Sequence, residues 1–391
     1  MKAKDSIVCV AMTTWEGDYV KAVVKLMEAL SGQTRVLFVN YQFTWKDVIW
    51  ALIGRGNAPW RQMLGLKSRV SIKGNVTVLT PPPILPINWI KSTKLHQFLN
   101  QINGWIIARS IQKTMKSIAM ENPIMVNAFN PVLGYALKGR IATKHTYYYC
   151  YDEISQSEWC KEHGPAYETS FISMVEGVFT SSRSLQNRFE TVHSNVAWIP
   201  NGVDFELFSK AYHDTLQGNN IKRVVFVGSL DFRVDIDLIS HMAEALPEVQ
   251  FDLVGRVNDK KGVENLSKLL NVNIYGSRSP EELPTFLSEA DLGVIPFVKN
   301  DFTKSIYPMK INEYMAAGLP VVATDFADLS EFRELIEIAT NKEDFLDKMK
   351  ITLNKKESAE RKRRYDVAKG NDWAGRATMF WDFHDKNIKE L

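Results

Sequence analysis

The second half of the chain repeats one pattern. Short apolar runs ending in glycine or another small residue recur at 223–229 (RVVFVGS), 249–255 (VQFDLVG), 272–276 (VNIYG), 291–297 (DLGVIPF) and 319–325 (LPVVATD). Runs this short and this apolar predict strands buried on both faces. Helical stretches lie between them: DIDLISHMAEAL, VENLSKLL, SPEELPTFLSEA and PMKINEYMAAG. In SPEEL, Ser279 is placed to cap a helix, Pro280 to enter its first turn, and acids follow. The triplet DID at 235–237 reads as a helix start rather than a metal motif. Strands alternating with helices predict a parallel sheet covered on both sides.

The first half repeats the theme less regularly. Its strand candidates are 6–12, 34–40, 75–80, 123–129, 145–152 and 177–182. The span 41–122 is irregular and holds the stiff segment TPPPILP. After the first strand, Thr13 to Gly17 form a loop and Asp18 is placed to cap the next helix. The segment WIPNGVDFELF (198–208) carries Pro-Asn-Gly turn chemistry and reads as a hinge. The expected fold class is α/β, with two doubly wound Rossmann-like domains facing each other across a cleft. The expected domains are 1–198, 199–370, and a helix over 371–391 that crosses back to the first domain. Ligands of such sheets bind beyond the carboxyl ends of the strands.

Composition narrows the setting. The 391 residues are 45% apolar and 24% charged, as in globular proteins. Cys9, Cys150 and Cys160 are scattered, with neither CxxC nor zinc spacing, which suits reduced thiols. No apolar window approaches a spanning helix, and the N-terminal apolar run is too short for a signal peptide. A cytoplasmic protein is expected. Charge divides unevenly: residues 1–200 carry 22 basic and 13 acidic side chains, and residues 201–391 carry 26 and 32. Within 51–150 there are 13 bases and one acid, Glu121. Tryptophans interleave with these bases, as at a membrane interface, so an anionic membrane surface is an expected partner. No nucleic-acid-binding motif accompanies the bases, so no nucleic acid is expected. His96 and His145 read as structural.

The stretch SIYPMKINEYMAAGLPVVATD (305–325) concentrates the candidate chemistry. Pro308 suits a first helical turn and Gly318 a helix end. The helix begins beyond the strand DLGVIPF, so its N-terminus, with free N–H groups, lies at the carboxyl edge of the sheet. Lys310 sits in the first turn, and Glu313 projects from nearly the same side. Donors and an ammonium suit a pyrophosphate; a carboxylate suits a sugar diol. The simpler alternative is a solvated i,i+3 ion pair.

Five segments in this order, FTSSRSLQNRF, WIPNGVDFELF, VVFVGSL, NIYGSRSPEELPTFLSEADLGVIPF and YPMKINEYMAAGLPVVATD, resemble the retaining glycosyltransferases of GT-B fold, family 4. The resemblance implies a nucleotide-sugar in the second domain, with a UDP-sugar favoured over a GDP-sugar and no obligatory metal. It implies that Glu313 holds the ribose and Lys310 the diphosphate. Gly276, Ser277 and Arg278 would meet the base, and Gly228 and Ser229 the phosphates and sugar. Ser305, Tyr307 and Pro308 would line the same site. Arg233 and Asp152 join Lys310 as candidate catalytic residues, and Thr14, Trp15, Glu16 and Gly17 would face the acceptor. Ser305 stands where the family often has a glutamate, and Tyr151 where many relatives have a histidine. The implied activity is net-retaining transfer of a hexose to a hydroxyl of a glycan or lipid-linked acceptor, in envelope or exopolysaccharide synthesis of the teichuronic-acid type. The enzyme would sit in the cytoplasm, peripherally on the inner face of the membrane. A non-catalytic subunit that binds nucleotide or glycan is the alternative. A sugar-nucleotide epimerase is a third reading, which the basic, aromatic first half fits poorly.

Overall fold

The structure, a computed structural model, describes residues 4–17, 21–156, 160–213, 221–355 and 358–390. Asp18, expected to cap a helix, lies outside them; the residue that precedes the helix Ala22–Ser31 is Lys21. The chain divides into two compact units, Met1–Pro200 with Ala377–Leu391, and Asn201–Arg376.

The first unit holds strands β1 (Ile7–Ala11), β2 (Val36–Val39), β3 (Val70–Lys73), β4 (Val76–Leu79), β5 (Ile124–Ala128), β6 (Thr146–Cys150), β7 (Gly177–Thr180) and β8 (Val196–Trp198). They form one sheet in the order β3-β4-β2-β1-β5-β6-β7-β8. Neighbours run parallel except in the β3–β4 hairpin. Strands β1, β2, β5, β6 and β7 are buried throughout, as inner strands covered on both faces are, with Asn127, Thr146 and Thr180 as their buried polar residues. On one face Ile107, Ile111 and Met115, from the helix Thr93–Ser117, pack over Val8, Val10 and Leu37. Elsewhere Phe171 and Phe189 pack on Tyr148 and Val178. The tyrosine run of β6 is wholly interior, and the Tyr147 hydroxyl meets His384 Nδ1 at 2.8 Å. Strands β3 and β8 escape the sequence pattern. Both are short outer strands, and β3 leaves Ser71 and Ile72 exposed, so neither carries a continuous apolar run.

The second unit holds β9 (Arg223–Val227), β10 (Gln250–Val254), β11 (Val272–Gly276), β12 (Leu292–Ile295), β13 (Val321–Thr324) and β14 (Glu337–Ala339). All pairings are parallel, in the order β11-β10-β9-β12-β13-β14. This is the doubly wound order, and its direction reverses between β9 and β12. Asp235 accepts from Leu238 N (2.9 Å) and opens the helix Ile236–Ala245, so the DID triplet is a cap. Ser279 and Glu282 form a capping box on a 3-10 turn, which leads into the helix Leu283–Glu289. Pro308 occupies the cap position just outside the helix Met309–Ala316, not its first turn as expected. Gly318, at φ +70°, turns the chain out of that helix toward β13.

Candidate functional site

The carboxyl end of β9 lies at the switch point of the second sheet, and the chain there is glycine for a physical reason. Gly228 has φ +151°, and a Cβ on it would sit 2.4 Å from Lys310 Cε and 2.8 Å from its Nζ. A Cβ on Gly255, at the end of β10, would meet the Gly228 carbonyl at 2.0 Å. Lysine and bare backbone therefore share space that no side chain could enter. The Lys310 ammonium also stands 5.2 Å from the ring centre of Phe297 and 5.8 Å from that of Phe226.

One turn on, Glu313 is buried. Loss of solvent pulls the Lys310 amine down to about 8; Glu313 opposes the shift, Arg233 adds to it and Asp231 opposes it. Burial pushes the Glu313 carboxyl up to about 7, with Lys310 opposing and Asp204 adding. Among the described residues neither group forms an ion pair or a side-chain hydrogen bond. The pair is thus not the solvated ion pair that the spacing alone allowed. Two opposite charges are held apart in a low-dielectric setting, with their bonding capacity unspent.

The surrounding structure fixes both groups. The Tyr314 hydroxyl accepts from Val227 N at 2.8 Å, which pins the helix to the end of β9. Its ring lies where a Cβ on Gly293 would come within 2.5 Å. Beneath the helix start, Asn371 Nδ2 donates to Asn312 Oδ1 (2.9 Å) and Asn312 Nδ2 donates to the Tyr307 hydroxyl (3.1 Å). Asn201 Nδ2 donates to the Tyr307 carbonyl at 3.3 Å. Tyr307 is therefore buried and held through both its hydroxyl and its carbonyl. Ser305 is buried at the end of the 3-10 turn Thr303–Ser305. Pro308 is buried as well.

Arg233 is held in a two-pronged bond to Asp231, Nε to Oδ1 at 2.8 Å and Nη2 to Oδ2 at 2.6 Å. Its guanidinium is a partly neutralised charge beside Lys310, not a free one. Gly276 ends β11 at φ +70°, and its carbonyl accepts from Gly255 N (2.9 Å). Ser277 and Arg278 follow it on the exposed surface, and Ser229 is half-buried beside Gly228.

The remaining expected residues belong to the first unit. Trp15 N donates to Asn40 Oδ1 (2.8 Å), and the Trp15 ring meets Phe38 edge-on. The loop folds around Lys21, whose Nζ donates to the carbonyls of Thr14 (2.6 Å) and Glu16 (2.5 Å). A Cβ on Gly17 would lie 2.6 Å from that Nζ. The Glu16 carboxylate pairs with Lys73. Asp152 is half-buried beyond the end of β6. Next to it Glu153 and Glu168 share Arg188, and Tyr148 donates to Glu168 at 2.7 Å.

The second unit thus brings Gly228, Lys310, Glu313 and Arg233 together, with Gly276 joined through Gly255. The sequence reading missed Asp231, Asn312, Asn371, the Phe226–Phe297 pair and Lys21, and read Tyr314 as packing without its hydrogen bond to β9. Only Asp231 had a local signal, an acid two residues before a base; the others act through contacts between distant segments. Among the described residues no group of three His, Cys, Asp or Glu could hold a metal ion.

Known proteins give three kinds of likeness. Residues 221–355 match the family described as Glycosyl transferases group 1. A Bacillus subtilis (strain 168) protein, provisionally named teichuronic acid biosynthesis glycosyltransferase TuaH, is 28% identical over 177 residues. That match covers 43% of this chain and 45% of the relative, so it spans under half the relative's length. In structure, the chain resembles a sucrose-phosphate synthase from Thermosynechococcus elongatus (TM-score 0.70, 14% identity, 99% of this chain and 100% of that one). It also resembles Anabaena HepE, solved with UDP and glucose (TM-score 0.64, 16% identity, 98% and 100%).

Proposed function

From a chain that resembles GT-B glycosyltransferases of family 4, with a group 1 glycosyl transferase domain over 221–355, we propose a retaining hexosyltransferase. It moves a hexose from a nucleotide-sugar to a hydroxyl of a glycan or lipid-linked acceptor, in synthesis of an envelope polysaccharide. The observation that carries this reading is the desolvated Lys310–Glu313 pair beside the bare backbone of Gly228. A diphosphate over Gly228 would return to Lys310 the negative partner that burial withholds. Glu313, one turn deeper, would accept both ribose hydroxyls.

In the reaction the bond from the sugar's anomeric carbon to the β-phosphate oxygen breaks, and its electron pair goes to that oxygen. The acceptor oxygen forms the new bond on the same face, and its proton passes to the departing phosphate. Positive charge at the leaving group is what this step needs most, and Lys310 supplies it with Arg233 beside it. No obligatory metal belongs to this scheme. A uridine donor is favoured because HepE was solved with UDP. Thr14, Trp15, Glu16 and Gly17 are the proposed acceptor side, and Asp152 remains a candidate catalytic residue with Lys310 and Arg233. The basic 51–150 segment faces an anionic membrane, placing the enzyme peripherally on its inner face.

A thermal-shift panel of UDP, GDP and ADP with their sugar conjugates tests this reading. A ligand at 100 times its Kd adds about 2.7 kcal/mol, a shift of a few degrees. The expected outcome is a selective shift with uridine nucleotides that Glu313→Ala abolishes. No shift with any nucleotide would overturn the donor site. The carboxylate clamped on Arg233 and the absence of an acid at Ser305 favour one second reading, a non-catalytic binding subunit. Nucleotide binding without turnover of UDP-hexoses would select it.

A further inference from the structure

Among the described residues, twelve of the eighteen exposed large apolar side chains lie between Trp45 and Trp105. The helix Trp45–Leu52 is the densest case. Its inner side is served by Val48, which packs with Ala58, Met63 and Ala51. Its outer side should then be polar. Instead Trp45, Ile49, Leu52 and Ile53 recur at i, i+4, i+7 and i+8, each between 45% and 59% exposed. Trp50 stands half-exposed beside them, with Lys46 Nζ 4.8 Å from its ring centre. The helix has one acid, Asp47, and that carboxylate turns back to accept from Thr44 N and Oγ1, both at 2.7 Å. No carboxylate of the helix is left to keep its outer side in water.

Neighbouring segments continue this chemistry. Trp45 N donates to the Ile84 carbonyl (3.0 Å), and Leu85 N donates to Asn103 Oδ1 (2.8 Å) in the helix Thr93–Ser117. Past this strap Trp89 is 76% exposed. On the long helix Phe98 and Trp105 lie two turns apart and exposed, with Arg109 against the Trp105 ring at 5.3 Å. Lys91 and Lys94 stand exposed between Trp89 and Phe98.

We propose that the outer face of Trp45–Ile53 is a wedge that inserts into the interfacial region of an anionic lipid bilayer, with the strap and the long helix resting on the headgroups. This deepens the membrane partner proposed above and rests on that reading. A bilayer suits the surface better than a protein does. Apolar side chains crowd one short helix, cations stack on the flanking tryptophans, and 51–150 holds 13 bases and one acid, three of the bases, Lys73, Lys138 and Lys144, being paired with acids from outside the segment. No helix of the described residues is long and apolar enough to cross a membrane, so the attachment would be interfacial.

Flotation of the full chain with phosphatidylcholine vesicles, with and without about 30% phosphatidylglycerol, tests the wedge. Wild type is expected to float with the anionic vesicles, with blue-shifted tryptophan emission. Ile49→Glu with Ile53→Glu should lower partitioning about tenfold or more, through lost apolar burial and added negative charge. Both positions are exposed, so the melting temperature should stay at the wild-type value. Leu270→Glu, at an exposed apolar residue of the second unit, should float like wild type. If the double variant floats as wild type does, charge alone attaches the protein: the wedge is overturned and the basic-surface reading stands. If wild type floats on neither vesicle, both fall. If wild type instead forms a dimer that the double variant cannot, the face belongs to a second copy and the lipid wedge is overturned.

Discussion

At the scale of the residue, Lys310 and Glu313 tie function to a cost in stability. The folded chain holds Lys310 at about 8, below its ordinary 10.5, so the unfolded chain binds this proton more tightly. The burden is full below pH 8 and fades as pH rises toward 10.5. Glu313 has the opposite sign: it is held at about 7 against an ordinary 4.5, so stability falls as pH climbs through that window. Between pH 7 and 8 both burdens apply. Lys310→Met with Glu313→Gln should therefore stabilise the ligand-free protein at pH 7.5 by on the order of 1 kcal/mol, read as a higher melting point. The same variant should lose the nucleotide-induced shift; calorimetric melting with and without UDP reads both. Nucleotide affinity in wild type should peak between these values. It should fall above pH 8 as Lys310 loses its proton, and below pH 7 as Glu313 gains one. Titration calorimetry from pH 6 to 9 checks the profile, and a flat one would remove both residues from the site. Their spacing was legible in the sequence, but their desolvation was not, because Phe226, Phe297 and Gly228 come from other strands and loops.

At the scale of the element, the helix Met309–Ala316 works only in register with β9. Tyr314→Phe would leave Val227 N without its acceptor in the interior, at a cost of about 1–3 kcal/mol, read as a lower denaturation midpoint. Gly228→Ala acts from the other side. Its Cβ would collide with Lys310 Cε, in a backbone conformation that alanine adopts poorly, so the lysine must move. Nucleotide affinity should drop at least tenfold, well beyond the change in stability, as calorimetry on the folded variant would show. Elements with unbroken apolar runs, such as VVFV in β9, could be read directly. Strands β3, β8 and β14 could not, since three or four residues on a sheet's outer positions leave no pattern to read. Tyr307 shows a different limit. The resemblance puts it in the donor site, while its buried hydroxyl accepts from Asn312 and its carbonyl from Asn201. Only partners distant in sequence reveal that.

At the scale of the whole molecule, the proposed lipid surface belongs to the first unit and the proposed nucleotide site to the second, so ionic strength should separate the two. Attachment to lipid would rest on solvated bases of the first unit, acting across headgroup distances. Their reach contracts with the Debye length, about 10 Å at 0.1 M salt and about 3 Å at 1 M. Nucleotide binding would rest on Lys310, half-buried beside Phe297, in direct contact with the diphosphate, where salt screens far less. Raising sodium chloride from about 0.05 to about 0.5 M should thus release most of the protein from anionic vesicles, while the Kd for UDP changes only a few-fold. Flotation and calorimetry on one preparation give both numbers. The inserted helix sets a floor, since apolar burial is strengthened rather than screened by salt, so the released fraction should be larger in Ile49→Glu than in wild type. Equal salt sensitivity of lipid and nucleotide binding would mean that the same exposed charges serve both ligands. The candidate site would then belong to the molecule's surface field and not to the buried pair at the end of β9.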